Sequence, residues 1–304
     1  MPLVDLPEAA RLLRAGQLVG VPTETVYGLA ANALDPVAVA AIYAAKGRPA
    51  DHPLILHTLD DPDAHAVADD RARALAAAFW PGPLTLVLPK RPHVPDALTG
   101  GHASVAVRSP AHPLARALLA AAGVPFAAPS ANRFGALSPT TAAHVRAAFP
   151  GLPVLDGGPC DVGVESTIVD LTGPTAALLR PGGVPVAAIE ALLGPLAAAA
   201  ASRTAAPGTL TAHYAPRAAL VATADPDGEA ARHRAAGHRV EVLRARPSAA
   251  YAHVLFDALR ALDARGPDVI VAEWAEPGGL GDAVNDRLRR AAATRSVRGT
   301  DGTA

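Results

Sequence analysis

The stretch LVGVPTETVYGLAANALDPVAVAAIYAAKGRP, residues 18–49, decides the fold of this chain. It begins with an apolar run at residues 18–21 that predicts a buried strand, and a polar turn follows it. Residues 36–45 then predict a helix, because Asp35 is a good N-cap and Pro36 suits the first helical position. A strand that leads through a turn into a helix is typical of a sheet covered by helices.

Short apolar runs alternate with amphipathic stretches over the first two-thirds of the chain. Five further strands are predicted there, at residues 54–57, 84–88, 104–107, 124–127 and 167–171. We therefore expect an α/β domain in this part of the chain.

Two domains are expected, since 304 residues exceed the roughly 100 to 200 of one average domain. Residues 197–217 are rich in small residues, proline and glycine, which predicts a linker. The first domain is thereby placed at residues 1–196 and the second at residues 218–304. In the second domain three predicted strands are each followed by a helical stretch, at residues 219–223, 238–243 and 268–272. This βαβαβα order predicts a parallel sheet with right-handed crossovers.

The composition excludes several classes of function. The 27 Lys and Arg residues balance the 28 Asp and Glu residues, and no basic run marks a nucleic-acid or membrane patch. Cys160 is the only cysteine, which excludes an internal disulfide and a cysteine-based zinc site and fits a reducing cytoplasm. No signal peptide is predicted, and no segment reaches the roughly 20 apolar residues that span a bilayer. We expect a cytoplasmic protein without a membrane partner.

Common nucleotide and hydrolase signatures are absent from the sequence, including the P-loop, the nucleophile elbow and the H-E-x-x-H motif. The segment PTETVYGL, residues 22–29, instead clusters two hydroxyls and a phenol after a buried strand, where ligands of α/β proteins tend to sit. A turn that merely caps the strand is the alternative interpretation.

Residues Lys46, Gly47 and Arg48 place two cations around a glycine at the end of the predicted helix. An arginine fork suits phosphate or carboxylate oxygens, so a polyphosphate or an amino-acid carboxylate would fit here. The alternative is that the cations only interact favourably with the helix dipole.

Other polar groups lie at strand ends and in loops. Arg108 ends an apolar strand, so its charge is expected at a sheet edge or in a cleft. The stretch PSAN, residues 129–132, offers a hydroxyl and an amide for positioning, and Ser130 has no base nearby in the sequence that would make it a nucleophile. Residues 156–158 and 163–167 form a glycine-rich, hydroxyl-bearing stretch that predicts a backbone nest for phosphate.

These stretches, taken in order, resemble the Sua5/YrdC family of threonylcarbamoyl-AMP synthases. The matching segments of the first domain are PTETVYGL, KGRPADHPLILH, PSAN, GVESTIVD and LRPGG, at residues 22–29, 46–57, 129–132, 163–170 and 179–183. APGTLTAHYAP at residues 206–216 is similar to the linker of the longer, Sua5-type members, and GGLGDAVNDRLRRAA at residues 278–292 is similar to the end of their C-terminal domain.

The resemblance implies a YrdC-like twisted, open, mixed β-sheet with helices on both faces, followed by a smaller Rossmann-like βαβαβα domain. It also implies a nucleotidyltransferase that forms threonylcarbamoyl-AMP and pyrophosphate from L-threonine, bicarbonate and ATP. The product would serve the formation of N6-threonylcarbamoyladenosine in tRNAs that decode ANN codons.

Residue roles are carried over from the resemblance alone. Lys46 and Arg48 are expected to be catalytic and to bind ATP. Threonine would be held by Thr23, Thr25, His57, Arg108 and Asn132, although Arg108 could instead contact ATP. The nucleotide would also contact Ser130, Asn132, Ser166 and Arg180, and His213 and Tyr214 would act as a lid.

The family resemblance also implies the cofactor and the partners. Mg²⁺ would arrive with ATP, with no metal ligands assigned to the protein, no zinc and no organic cofactor. A downstream threonylcarbamoyl transferase would receive the product, and tRNA would be met only indirectly. Two alternatives stay open: an RNA-binding module, and another carbamoyl-transfer enzyme of the same fold, although the latter proteins carry zinc-binding cysteine clusters.

Overall fold

The computed structural model describes residues 3–59, 61–199 and 213–294 of the chain. The chain divides into two compact units, one made of Met1–Phe134 and Ser138–Thr209 and the other of Gly135–Leu137 and Leu210–Ala304. Most of the predicted linker lies outside the described residues, so the proposed domain boundaries stay a prediction. One difference is that residues 197 and 198, expected in the linker, form a strand in the sheet of the first unit.

The first unit contains one large sheet and the helices that cover it. Its described strands are β1 Leu3–Val4, β2 Val19–Val21, β3 Gly28–Asn32, β4 Ile55–His57, β5 Leu84–Pro89, β6 Ser104–Arg108, β7 Phe126–Ala127, β8 Val154–Leu155, β9 Thr167–Asp170, β10 Ala177–Arg180 and β11 Ala197–Ala198. Its described α-helices are α1 Leu6–Arg14, α2 Pro36–Lys46, α3 Asp70–Phe79, α4 Asp96–Thr99, α5 Pro113–Ala122, α6 Ala142–Ala148 and α7 Val186–Leu193.

The strand order is β1-β8-β2-β3-β7-β4-β6-β5-β9-β10-β11. The sheet contains parallel pairs such as β4 with β6 and antiparallel pairs such as β5 with β6, so it is mixed, as the resemblance implied. Alternate residues of β3 enter different cores. Leu29 and Ala31 pack in the cluster that contains residues of α2 and α3, whereas Ala30 packs with residues of α1 and α5. Both faces of the sheet are therefore covered.

The helix predicted at residues 36–45 is confirmed as α2, one residue longer. The Asp35 side chain accepts a hydrogen bond from the main-chain N–H of Val37 at 2.9 Å and caps its start. At its end, Gly47 adopts φ 66°, a left-handed conformation that costs glycine nothing. Lys46 and Arg48 consequently flank a sharp helix terminus, as the sequence predicted.

Five strands were missed by the sequence analysis: β1, β3, β8, β10 and β11. β3 is the important one, because it continues directly from the PTETVYGL turn. Its sequence, GLAAN, consists mostly of small residues that are depleted in strands, so its strand form depends on pairing with β2 and β7.

The second unit has the predicted βαβαβα order. Its described elements are β12 Ala219–Thr223, α8 Pro226–Ala235, β13 Val240–Leu243, α9 Ser248–Ala264, β14 Val269–Glu273 and α10 Leu280–Ala292. β14 lies between β12 and β13, and both pairings are parallel, which confirms the predicted parallel sheet. Within the described parts of both units, no helix has the length and apolarity to cross a membrane.

Candidate active site

Most of the predicted site residues of the first unit are buried, although they are polar or charged. Lys46, Arg108 and Arg180 are each 3% exposed. Lys and Arg side chains are almost never buried without partners, so the hydrogen bonds of these three residues show how the site holds their charges in place. The other buried members are Thr23, Thr25, His57, Asn132 and Ser166, while Arg48 and Ser130 are half-buried.

His57 and Arg108 lie side by side because they end two neighbouring parallel strands. The register of β4 and β6 pairs them directly. The carboxyl ends of parallel strands are where α/β sheets place their ligands. The sheet topology therefore confirms that Arg108 sits at a strand end, and it adds His57 as its neighbour.

The guanidinium of Arg108 is fixed through three of its nitrogens. Nε donates to the carbonyl of Gly82 at 3.2 Å, Nη1 donates to the Thr25 hydroxyl at 2.9 Å, and Nη2 donates to Glu24 Oε1 at 2.6 Å. Arg108 and Glu24 form a buried ion pair. The resulting guanidinium plane is rigid before any ligand arrives.

The two threonines of the motif form a directed hydrogen-bond chain. Thr23 Oγ1 donates its single proton to the carbonyl of Val26 at 2.6 Å, so the 2.8 Å bond between the two hydroxyls must be donated by Thr25. Thr25 Oγ1 is thereby oriented to accept from Arg108. In the structure the two hydroxyls bond each other, and that of Thr25 also bonds Arg108, while their contact with threonine stays a prediction.

His57 is held as a neutral imidazole. Its ring stacks on Phe126 with centroids 5.1 Å apart, and its Nδ1 is buried without a hydrogen-bond partner among the described residues. Burial, followed by the positive charge of Arg108, lowers the pKa of His57 to about 3. A neutral ring beside a guanidinium can contact a substrate without adding charge.

Lys46 joins the end of α2 to the PSAN loop. Its Nζ donates to the carbonyl of Ser130 at 2.5 Å and to that of Asn132 at 2.6 Å. Burial, together with the nearby charge of Arg48, lowers the pKa of Lys46. Two neutral carbonyls leave the ammonium's charge uncompensated, which favours an anionic ligand close to it.

Arg48 shapes the loop that follows α2. Its Nε donates to the carbonyl of His52 at 3.3 Å, its Nη2 donates to that of Pro53 at 3.0 Å, and its guanidinium lies 5.8 Å from the Phe134 ring centroid. The structure thus brings Lys46 and Arg48 to one helix end, with different partners.

Ser166 and Arg180 form another part of the site. The Arg180 guanidinium donates to the main-chain carbonyl of Ser166 through Nε at 3.1 Å and Nη2 at 2.9 Å. The Ser166 hydroxyl also bonds the Thr85 hydroxyl at 2.7 Å. Gly182 makes this packing possible, since a Cβ there would lie 2.3 Å from the Ser166 carbonyl carbon.

Main-chain hydrogen bonds tie these segments together. Ala131 N–H donates to the Tyr27 carbonyl at 2.8 Å, which joins PSAN to PTETVYGL. Val162 N–H donates to the Glu24 carbonyl at 2.8 Å, which joins the glycine-rich stretch to the same motif. The PTETVYGL segment therefore connects the PSAN loop and the glycine-rich stretch of the predicted site.

Two site residues, Glu24 and Thr85, were not singled out from the sequence, and Tyr27 was noted only as the phenol of the PTETVYGL segment. The Tyr27 hydroxyl donates to the Gly158 carbonyl at 2.7 Å and accepts from the Gly157 N–H at 3.0 Å, so it holds the predicted phosphate nest. A sequence signal existed for Glu24, since an acidic side chain directly after a buried strand needs a partner. Thr85 gave none, because it lies within an ordinary strand.

His213 and Tyr214, the predicted lid residues, are both buried and belong to the second unit. The Tyr214 ring lies 4.2 Å from His213, 5.7 Å from Phe256 and 5.2 Å from the Arg287 guanidinium. Its φ of 61° is unusual for a bulky residue. These contacts anchor the segment in the second unit, and the lid function stays a prediction.

Comparison with known proteins places the chain. A family model for the Sua5, YciO and YrdC proteins, described as "Telomere recombination", matches residues 11–182. Another, described as "Threonylcarbamoyl-AMP synthase, C-terminal domain", matches residues 184–293. The two matches together run through both units.

Individual relatives match over nearly the whole length. The chain is 44% identical to the threonylcarbamoyl-AMP synthase of Pyrococcus abyssi over 95% of its own length and 94% of the relative's. It is 40% identical to that of Bacillus subtilis over 97% of its own length and 94% of the relative's. A crystal structure of P. abyssi Sua5 complexed with L-threonine matches with a TM-score of 0.89 and 44% identity, over 94% of each chain. The chain therefore belongs to the Sua5/YrdC family, as one of its two-domain, Sua5-type members.

Proposed function

We propose that the chain is an L-threonylcarbamoyladenylate synthase, an enzyme that forms threonylcarbamoyl-AMP and pyrophosphate from L-threonine, bicarbonate and ATP. The observation that carries the proposal is the near full-length similarity to relatives named threonylcarbamoyl-AMP synthase, one of which is described in complex with L-threonine. The product would serve threonylcarbamoylation of adenosine in tRNAs that decode ANN codons.

The reaction needs no nucleophile from the protein. The threonine amine reacts with bicarbonate, with loss of water, or with CO₂, with loss of a proton, to give a carbamate. A carbamate oxygen then attacks the α-phosphorus of ATP. The bond between the α-phosphorus and the bridging oxygen breaks, and pyrophosphate leaves. Such nucleotidyl transfer depends on orientation, which can supply roughly 7 to 11 kcal/mol, and on neutralising the charge of phosphate oxygens.

The built geometry suits these demands. Arg108 is a rigid fork at a strand end, beside the neutral His57, and a threonine carboxylate would be bound there without reorganisation. Lys46 and Arg48 would neutralise the triphosphate and the reacting carboxylates, and Ser166 with Arg180 would hold the nucleotide. In the glycine-rich stretch, the N–H groups of Gly157 and Gly158 already donate to the Tyr27 hydroxyl and the Asp156 carboxylate, so phosphate binding is assigned to the side chains named above.

Magnesium would accompany ATP in this proposal and screen the charge of its phosphates. In residues 3–59, 61–199 and 213–294 no group of three or more His, Cys, Asp or Glu side chains is arranged to hold a metal. Phosphate oxygens and water are the ligands that Mg²⁺ usually keeps at such sites, so the proposal assigns no protein ligand to the ion. Cys160 is the only cysteine of the sequence and is buried, and a single thiol cannot form a cysteine-based zinc site.

The test is the conversion of ATP to AMP and pyrophosphate by the purified full chain with Mg²⁺, with and without L-threonine and bicarbonate. We expect turnover that requires both. Turnover without threonine would point to another carbamoyl-transfer activity, and RNA retention without turnover would favour the RNA-binding alternative. The predicted cytoplasmic location and the transferase partner stay predictions.

A further inference from the structure

The Glu24–Arg108 pair has the geometry of a device that orients one side chain. Glu24 is 5% exposed and Arg108 is 3% exposed, and their closest atoms are 2.6 Å apart. Surface ion pairs contribute little, but breaking a buried pair leaves an uncompensated charge. Neither residue can therefore change its position independently of the other.

Arg108 has five N–H groups, and the structure accounts for three of them. Their acceptors are the Gly82 carbonyl, the Thr25 hydroxyl and the Glu24 carboxylate. The acceptors bond three different nitrogens, so the guanidinium can neither rotate in its plane nor tilt out of it. Two N–H groups have no partner among the described residues, which leaves a defined part of the fork for a ligand.

We propose that Glu24 is a positioning residue, which acts through Arg108 to present these two remaining N–H groups to the carboxylate of the amino-acid substrate. This inference rests on the proposed function, because it takes L-threonine as the ligand. It assigns the central acid of PTETVYGL a role that the resemblance did not give it. Thr25 also holds Arg108 in place, because its hydroxyl accepts a hydrogen bond from Arg108 Nη1 and donates one to the Thr23 hydroxyl.

A role for Glu24 as the base that deprotonates the threonine amine does not fit. Burial would raise the pKa of the Glu24 carboxyl, but the charge and hydrogen bond of Arg108 outweigh it and the pKa is lowered. An α-ammonium group titrates about three units or more above an ordinary glutamate. Glu24 is thus ionised and too weak a base, and its charge serves Arg108.

The test compares Glu24→Gln with Glu8→Gln in the full chain. Glu8 is a matched control because its carboxylate also pairs with an arginine, Arg11, at 2.7 Å, but on the exposed surface of α1. Calorimetry gives the Kd for L-threonine without ATP, and turnover gives KM and kcat. We expect Glu24→Gln to raise the Kd and KM for threonine by about tenfold to a hundredfold, with a smaller change in kcat at saturation. Glu8→Gln should match the wild type.

A double-mutant cycle separates positioning from general stabilisation. If Glu24 acts through Arg108, Glu24→Gln should add no further loss of threonine affinity in an Arg108→Gln background. An equal loss in both backgrounds, or unchanged affinity in the single variant, would overturn the proposal. If Glu24→Gln does not fold, Glu24→Asp keeps the charge on a shorter stem, and wild-type affinity in that folded variant would equally overturn it. A wild-type chain that neither binds nor uses threonine would refute the proposed function, and this inference with it.

Discussion

Gly182 allows the segment that leads into β9, with Ser166, to pack against the turn after Arg180. Its replacement by alanine is a stringent test of the site geometry. An alanine Cβ would lie 2.3 Å from the Ser166 carbonyl carbon, 2.3 Å from the Thr167 nitrogen and 2.4 Å from the Glu165 oxygen. Non-bonded carbon atoms prefer about 3.5 to 4.0 Å. The clash involves main-chain atoms only, so no side chain can rotate away to relieve it.

The expected cost follows from this overlap. Overpacking costs about 3 kcal/mol at the upper end of its usual range, and loss of unfolded-chain entropy on replacing glycine returns about 0.5 kcal/mol. Gly182→Ala should therefore lower the free energy of unfolding of the first unit by about 2 kcal/mol or more. Gly173→Ala is the control, because the nearest atom to its Cβ is the Thr175 oxygen at 3.8 Å. That variant should be neutral or stabilised by about 0.5 kcal/mol.

Urea denaturation followed by tryptophan fluorescence measures the difference. The chain has two tryptophans, and replacing Trp274 of the second unit by Phe leaves Trp80 to report on the first unit alone. The Trp80 indole donates to the Leu84 carbonyl at 2.7 Å and senses loss of the sheet. Equal unfolding free energies for Gly182→Ala and Gly173→Ala, within about 0.5 kcal/mol, would refute the packing argument.

Three further predictions follow from single residues. Arg48→Lys should lower threonine-dependent turnover by about tenfold or more, because a point charge cannot serve the His52 and Pro53 carbonyls and a ligand together; near-normal steady-state rates would contradict this. The His57 pKa of about 3 lies below the ordinary value of 6.5. Between pH 6.5 and pH 3 the His57 imidazole is therefore protonated in the unfolded chain but not in the folded one. The first unit should therefore lose stability as the pH falls from 6.5 towards 3, and His57→Gln should lessen that loss; equal slopes of unfolding free energy against pH would refute it. Asn285→Asp should destabilise the second unit by about 2 kcal/mol, since a carboxylate cannot donate to the Ala275 carbonyl, which the Asn285 amide does at 3.0 Å; unchanged urea unfolding of Trp274 fluorescence would contradict it.

The site could be predicted in part because its chemistry is local in the sequence. Lys46 and Arg48 flank Gly47 at a helix end whose cap residues are all readable from the chain, so their placement followed from helix signals. Arg108 was recognisable as a charge that ends an apolar strand. The roles assigned to these residues came from the resemblance, and the structure adds their partners without testing the roles.

What the sequence determined by itself is the alternation of elements, the parallel sheet of the second unit and the set of polar residues around the site. What only the tertiary structure decided is which of these residues meet. His57 and Arg108 are far apart in the chain and become neighbours through the β4–β6 register, and β3 becomes a strand only because β2 and β7 pair with it. The orientation of Arg108 depends on an acid, a hydroxyl and a carbonyl from separate segments. Local patterns specify elements, but hydrogen bonds between distant segments specify where a charge points, because their geometry exists only after the chain has folded.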